Sequence, residues 1–327
     1  MSKEFIRDIE EKALLGEDIT YDEAKKIIDL NPSLLFELFI SANRIKEHFI
    51  GNKVHLCSIV NAKSGRCKED CGFCAQSAHH KTYVPVYDMI NSDEMLRAAK
   101  NAEKSTSGCF GIVTSGSTIK SDDEFNIILD AVRKIKAETS LSPSASLGMI
   151  SYEQAVKLKE AGVKKFHHNI ETSRNFFPNV CTTHSYDDDL ETIRSIKRAG
   201  LKICSGVILG LGESQLDWID MAFTLRELDV DSVPINFLNP IKNTRFENNP
   251  KVPALELLRG IALFRFILPT KSISICGGRE KNLRDLQSFM FLAGASGTMA
   301  GNYLTTKGRS MEDDFKMISD LGLEVER

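Results

Sequence analysis

The sequence predicts an α/β protein, a (β/α)8 barrel of the TIM type with an N-terminal helical extension. Three observations predict it. From Val54 onward, short β-branched runs alternate with amphipathic segments, the pattern of parallel βα units. Eight such runs can be counted, and each helical segment precedes the next strand. Several of the joins that lead from helix to strand carry a glycine suited to left-handed helix ends, as in Glu160-Ala161-Gly162-Val163 and Arg198-Ala199-Gly200-Leu201. An open doubly wound sheet is the competing architecture, but it gives no reason for about eight strands with single intervening helices.

In chain order, residues 1–50 read as helices. Tyr21 to Leu30 follows Thr20, a suitable N-cap, and Ser33 to Phe49 carries a strong apolar stripe. Pro32 suits the first position of that second helix. The barrel is expected over residues 51–301, with strands at Val54–Val60, Gly108–Thr114, Ser144–Leu147, Lys164–Ile170, Lys202–Leu209, Ser232–Phe237, Ser272–Cys276 and, weakly, Ser296–Ala300. Between them, Asp122–Glu138 places Phe125, Ile128, Leu129, Val132 and Ile135 on one face, and Asp187–Arg198 does the same with Leu190, Ile193 and Ile196. Residues 302–327 form a C-terminal tail that either folds over one end of the barrel or frays.

Composition narrows the function. Of 327 residues, 42% are hydrophobic and 27% charged, as in an ordinary globular protein. A net charge of −3 provides no broad field to attract nucleic acid or a membrane, so the expected substrate is small. No run of about 18 apolar residues is present to span a bilayer, and the first residues carry no signal-peptide core, so the expected location is cytoplasmic. In a reducing cytosol, eight cysteines argue for metal binding or catalysis over disulfides.

Three of them form the sharpest motif. Cys67, Cys71 and Cys74 make a C-x₃-C-x₂-C loop directly after the first strand, and therefore at the C-terminal mouth where barrels of this type place their active sites. Three clustered thiolates suit a [4Fe-4S] cube with one iron left open to a non-protein ligand. A zinc knuckle closed by His79 or His80 is the alternative reading, and a disulfide is a weaker one. A second segment, Ser205-Gly206-Val207-Ile208-Leu209-Gly210-Leu211-Gly212-Glu213, has glycines that would let a ligand approach the backbone.

The triad, with Phe73 at its aromatic position, resembles the radical S-adenosylmethionine superfamily. In that superfamily the methionyl amino and carboxylate groups chelate the open iron, Phe73 would lie near adenine, and the stretch holding Ile208 and Gly210 would contact it. The resemblance narrows to the biotin synthase family and covers nearly the whole barrel. It rests on Cys67 through Ser77, His168-Asn169-Ile170-Glu171-Thr172-Ser173, Lys202-Ile203-Cys204-Ser205-Gly206, Ser232-Val233-Pro234-Ile235-Asn236 and Gly277-Gly278-Arg279-Glu280. It implies a radical sulfurtransferase that inserts sulfur into dethiobiotin, with Asn169 and Asn236 holding the ureido ring and Glu171 the ribose diol. A homodimer and a flavodoxin- or ferredoxin-like electron donor are implied in the same way. Rival readings are another radical enzyme of the same barrel group, of the hydrogenase-maturation or methylornithine type, or a non-catalytic iron-sulfur carrier.

The departures from the family matter as much. Familiar members hold a second, [2Fe-2S] cluster on three cysteines and an arginine. Cys109 and Cys204 match two of those cysteines, but the third falls on Ser144 and the arginine on Ser274. Cys276 lies two residues beyond Ser274, on the same face of the strand and about 7 Å further along. The expectation is an auxiliary cluster of the [4Fe-4S] type on Cys109, Cys204 and Cys276, with a non-protein sulfur at the remaining iron. The competing reading makes Cys276 a small buried hydrophobe. Cys57 and Cys181 read as packing. Asp189 stands where the family usually has arginine, so either another cation compensates or the local correspondence fails.

Overall fold

The computed structural model describes residues 2–104 and 108–326. Its strands are β1 (Lys53–Lys63), β2 (Cys109–Thr114), β3 (Ser142–Ser146), β4 (Lys165–His167), β5 (Lys202–Cys204), β6 (Val207–Leu209), β7 (Ser232–Phe237), β8 (Ser272–Ile275), β9 (Gly297–Met299) and β10 (Glu324–Val325). All their pairings are parallel, in the order β1-β2-β3-β4-β5-β7-β8-β9, with β6 also on β7, and the sheet closes where β9 pairs with β1. β5 and β6 are two halves of one stave, so the barrel has the eight staves the pattern predicts.

The single predicted strand over 202–209 is interrupted at Ser205-Gly206. The Asn169 side chain accepts from the Gly206 N–H at 3.1 Å, which takes that donor out of the regular ladder. A Cβ on Gly206 would lie 1.8 Å from the Pro234 carbonyl oxygen, so only glycine allows this close approach to β7. The other predicted strands appear, with ends shifted by a few residues; Lys164–Ile170 shortens to Lys165–His167.

Side-chain capping fixes where the outer helices begin. Thr20, Asn91, Ser151, Ser185 and Ser214 each form a capping box with the residue three places on. Apolar stripes such as Phe125, Ile128, Val132 and Ile135 then bury against the strands. The N-terminal helices (Lys3–Leu14, Tyr21–Ile28, Leu35–Phe49) pack on the outer helices Gln215–Glu227 and Ala254–Ile267. Arg259 ties this union together by donating to the Ile27, Ile28 and Leu30 carbonyls at the end of the second helix.

The tail folds back. After the loop through Tyr303, a helix (Met311–Asp320) and β10 follow, and β10 pairs with the start of β1 at Lys53 and Val54. Asp314 of that helix meets Arg279 at 2.5 Å, with both side chains 1% exposed. No helix among the described residues is long and apolar enough to cross a membrane.

Candidate active site

One cavity of about 470 Å³ runs from the barrel mouth into its interior. The thiols of Cys67, Cys71 and Cys74 line its upper part, and Cys57, Cys109, Cys204 and Cys276 line it deeper down.

The upper loop is held by its own backbone and by β1. The Cys67 N–H donates to the Gln76 carbonyl at 3.0 Å, Ala78 N–H to the Cys67 carbonyl at 2.7 Å, and Cys74 N–H to the Cys71 carbonyl at 3.0 Å. Gln76 Oε1 accepts from Asn61, Ser64 and Gly65, which anchors the loop to the end of β1. His79 and His80 place a ring nitrogen 3.0 Å from the carbonyls of Lys68 and Cys74. Their rings thus support the loop from behind instead of closing a zinc knuckle. Burial raises the Cys67 thiol and pushes the Cys74 thiol up to about 11, so the protein by itself favours the protonated form of both. A cation at their centre would reverse that preference, since ligation requires the thiolate.

Cys181 packs in the core at 3% exposure and also lines the cavity. Its Sγ is 3.8 Å from Cys71 Sγ and 3.3 Å from His184 Nδ1. The same imidazole meets Glu69 at 2.7 Å through Nδ1 and Asp189 at 3.4 Å through Nε2. Asp189, 4% exposed, also meets His168 Nε2 at 2.9 Å. Two imidazoles therefore face this aspartate, and the charge on His184 compensates it. Burial works against the charge on His184, yet Asp189, Cys181 and Glu69 push its pKa up to about 11. Burial likewise opposes the Asp189 carboxylate, and His168 and His184 hold it below its ordinary value.

Glu171 sits in the left-handed region at φ 58° where β4 leaves the barrel, and its backbone carbonyl accepts from Ile208 N–H at 2.8 Å. Burial pushes its carboxyl up to about 8, against the pull of the Asn169 amide 3.3 Å away. Asn169 and Asn236 both line the cavity, and each is oriented by the backbone. Asn236 Oδ1 accepts from Gly277 N–H at 2.9 Å, and its amide donates to the Val207 carbonyl at 3.3 Å. Each amide donates once within the protein, to Glu171 and to the Val207 carbonyl, and so has a second N–H to offer a ligand.

Phe73 and Ile208 meet in a small apolar cluster with Val180, Leu211, Leu238 and Phe246. Phe73 faces the cavity; Ile208 is behind it. Gly210 is not brought to the cavity. It borders a separate crevice at φ 97°, and its N–H donates to Glu213 at 2.7 Å. The tail adds residues the sequence reading did not assign to the site. Tyr303, Leu304 and Thr305 line the mouth, and the Tyr303 hydroxyl donates to Glu280 at 2.8 Å and to the Cys276 carbonyl at 3.2 Å.

In the deeper part, Cys276 does face the lumen, at 5% exposure. The Cys109 thiol donates to Ser144 Oγ at 3.0 Å, and that hydroxyl also meets His167 Nε2 at 3.0 Å. Cys57, read as packing, is lumenal: β1 pairs it with Cys109, and both line the cavity. Burial opposes a charge on His167, but Cys204 and Cys109 push it up to about 10. Lys165 is raised by the same thiols against its burial. Buried thiols facing two cations are a donor set suited to an anionic iron-sulfur cluster.

An eight-stave barrel with three cysteines on the loop after its first strand defines an enzyme of the radical S-adenosylmethionine class, and the Radical SAM superfamily matches residues 62–225. The Biotin and Thiamin Synthesis associated domain matches residues 234–324. Biotin synthase of Geotalea daltonii is 61% identical over 96% of this chain and 96% of its own. Biotin synthase of Geobacter metallireducens is 56% identical over 96% and 95%. The chain belongs to the biotin synthase family. Among solved structures, methylornithine synthase shares the fold with a TM-score of 0.85 at 19% identity, covering 98% of this chain and 97% of that one. An [FeFe]-hydrogenase maturase does so with 0.84 at 18%, covering 99% and 75%.

Proposed function

We propose that Cys67, Cys71 and Cys74 hold the [4Fe-4S] cluster and that Cys109, Cys204 and Cys276 hold an auxiliary cluster of the [4Fe-4S] type that donates sulfur to dethiobiotin. The supporting observation is the single cavity that both thiol sets line. When bound, S-adenosylmethionine and the first cluster supply a 5′-deoxyadenosyl radical that removes hydrogen from carbon, and the second cluster supplies sulfur.

This chain's residues do the rest. Phe73, backed by Ile208, offers an apolar wall for adenine. Glu171 accepts from the ribose hydroxyls. Its carboxyl lines the cavity and already accepts from the Asn169 amide at 3.3 Å. Asn169 and Asn236, fixed by Gly206 and Gly277, offer amides to the ureido group between the two thiol sets. Tyr303, Leu304 and Thr305 cover the mouth and keep water from the radical. We assign residues 1–50 to a helical buttress, 51–301 to the barrel and 302–327 to a closing tail. We further propose a cytoplasmic homodimer reduced by a flavodoxin- or ferredoxin-like donor.

Anaerobic, reconstituted protein given dethiobiotin, S-adenosylmethionine and reductant should form biotin, and its absence overturns the assignment of substrate. In the Cys67/Cys71/Cys74→Ala variant, about four irons should remain. About two would exclude the larger auxiliary cluster, and none would exclude any.

A further inference from the structure

Cys57 sits on the lumenal face of β1. The strand alternates at its start, with Val54 and Leu56 in the core and His55, Cys57 and Ile59 on the cavity. The register of β1 on β2 sets Cys57 beside Cys109, and both line the cavity. The surface Cys57 leaves open is cavity surface, so it is half-exposed to a ligand and hidden from the exterior. Cys204 and Cys276 line the same cavity, so the four cysteines share its deeper part.

Ser144 and Ser274 occupy positions that would otherwise supply ligands. The Ser144 hydroxyl is shared between Cys109 and His167. Ser274 Oγ packs against Gly297, where an added Cβ would lie only 2.5 Å away. Neither hydroxyl matches thiolate as a ligand for iron in a sulfide cluster.

We infer that Cys57 is a fourth protein thiolate of the auxiliary cluster, closing the position the sequence reading left to a non-protein sulfur. This rests on the auxiliary-site reading above. His167 and Lys165, both on β4, face the same thiols and offset the negative charge that four thiolates and inorganic sulfide bring into the barrel.

The test is made on reconstituted full-length protein in the Cys67/Cys71/Cys74→Ala background, where only the lumenal site can hold iron. Adding Cys57→Ala should lower the retained iron at least twofold, toward the level of Cys109→Ala, and should change the Mössbauer spectrum. Cys181→Ala, which lies by the upper loop, should leave both unchanged. Cys57→Ser, nearly isosteric, guards against misfolding. Replacing a ligand sulfur by oxygen shifts the isomer shift and the sulfur-to-iron absorption bands, whereas the same change at a packing residue shifts neither. With the upper triad intact, Cys57→Ser should retain the upper cluster and reductive cleavage of S-adenosylmethionine. Unchanged iron and spectra in both Cys57 variants, with Cys109→Ala emptied, overturn this inference alone. An empty site in the parent triple variant overturns the auxiliary-site reading and this one with it.

Discussion

Asp189 brings a negative charge to a place where the family resemblance leads one to expect a positive one, and His168 and His184 answer it from two directions. The sequence posed that question but could not resolve it, because the two partners lie 21 and 5 residues away and meet it only through the fold. Glu171 is the most exposed to test at this scale. Glu171→Gln keeps the shape but replaces an acceptor oxygen by an amide donor, so KM for S-adenosylmethionine should rise roughly 10-fold or more, with kcat changed less. The same residue gives a pH signature. A carboxyl raised from 4.5 to about 8 contributes stability that is fully present below 4.5 and lost as the pH rises through about 8. The ligand-free wild type should therefore lose stability relative to Glu171→Gln between pH 5 and pH 8, read as a growing difference in Tm. An equal difference at both ends would refute the buried-charge assignment.

At the scale of the element, the broken fifth stave is the informative one. One strand is expected over Lys202–Leu209, and Ser205-Gly206 is the weak point within it. The break arises because Asn169 reaches across from β4 to take the Gly206 N–H while the Pro234 carbonyl presses on its Cα. Gly206→Ala should cost about 1–3 kcal/mol in urea unfolding, as overpacked cores do, and should displace Asn169. Dethiobiotin binding should weaken in parallel, measured by calorimetry; an unchanged midpoint would show that the strand junction yields freely. β1 teaches the complementary lesson. Its alternation was legible, since Val54 and Leu56 fill the apolar face and leave Cys57 on the other. Reading Cys57 as packing missed that signal. Cys181 offered no such signal, for it caps a short helix and meets Cys71 from 110 residues away.

Over the whole molecule, the tail decides how the barrel is closed. Arg279, just beyond β8, is fully buried and meets Asp314 of the terminal helix, so the far end of the chain is fastened beside the cavity. Asp314→Ala should cost about 3–5 kcal/mol, because it strands a buried guanidinium, and should expose residues 302–326 to limited proteolysis. Resistance equal to wild type would show that β10 alone holds the tail. Much of the design was legible in the chain itself. Strand count, parallel topology, the helical extension and the Cys67/Cys71/Cys74 loop all follow from period, capping and local spacing, which act over a few residues. The convergence of Cys57, Cys109, Cys204 and Cys276, the imidazoles around Asp189 and the return of the tail to the mouth depend on which side chains closure turns inward. That choice is made by packing between staves far apart in sequence, and only the tertiary structure decides it.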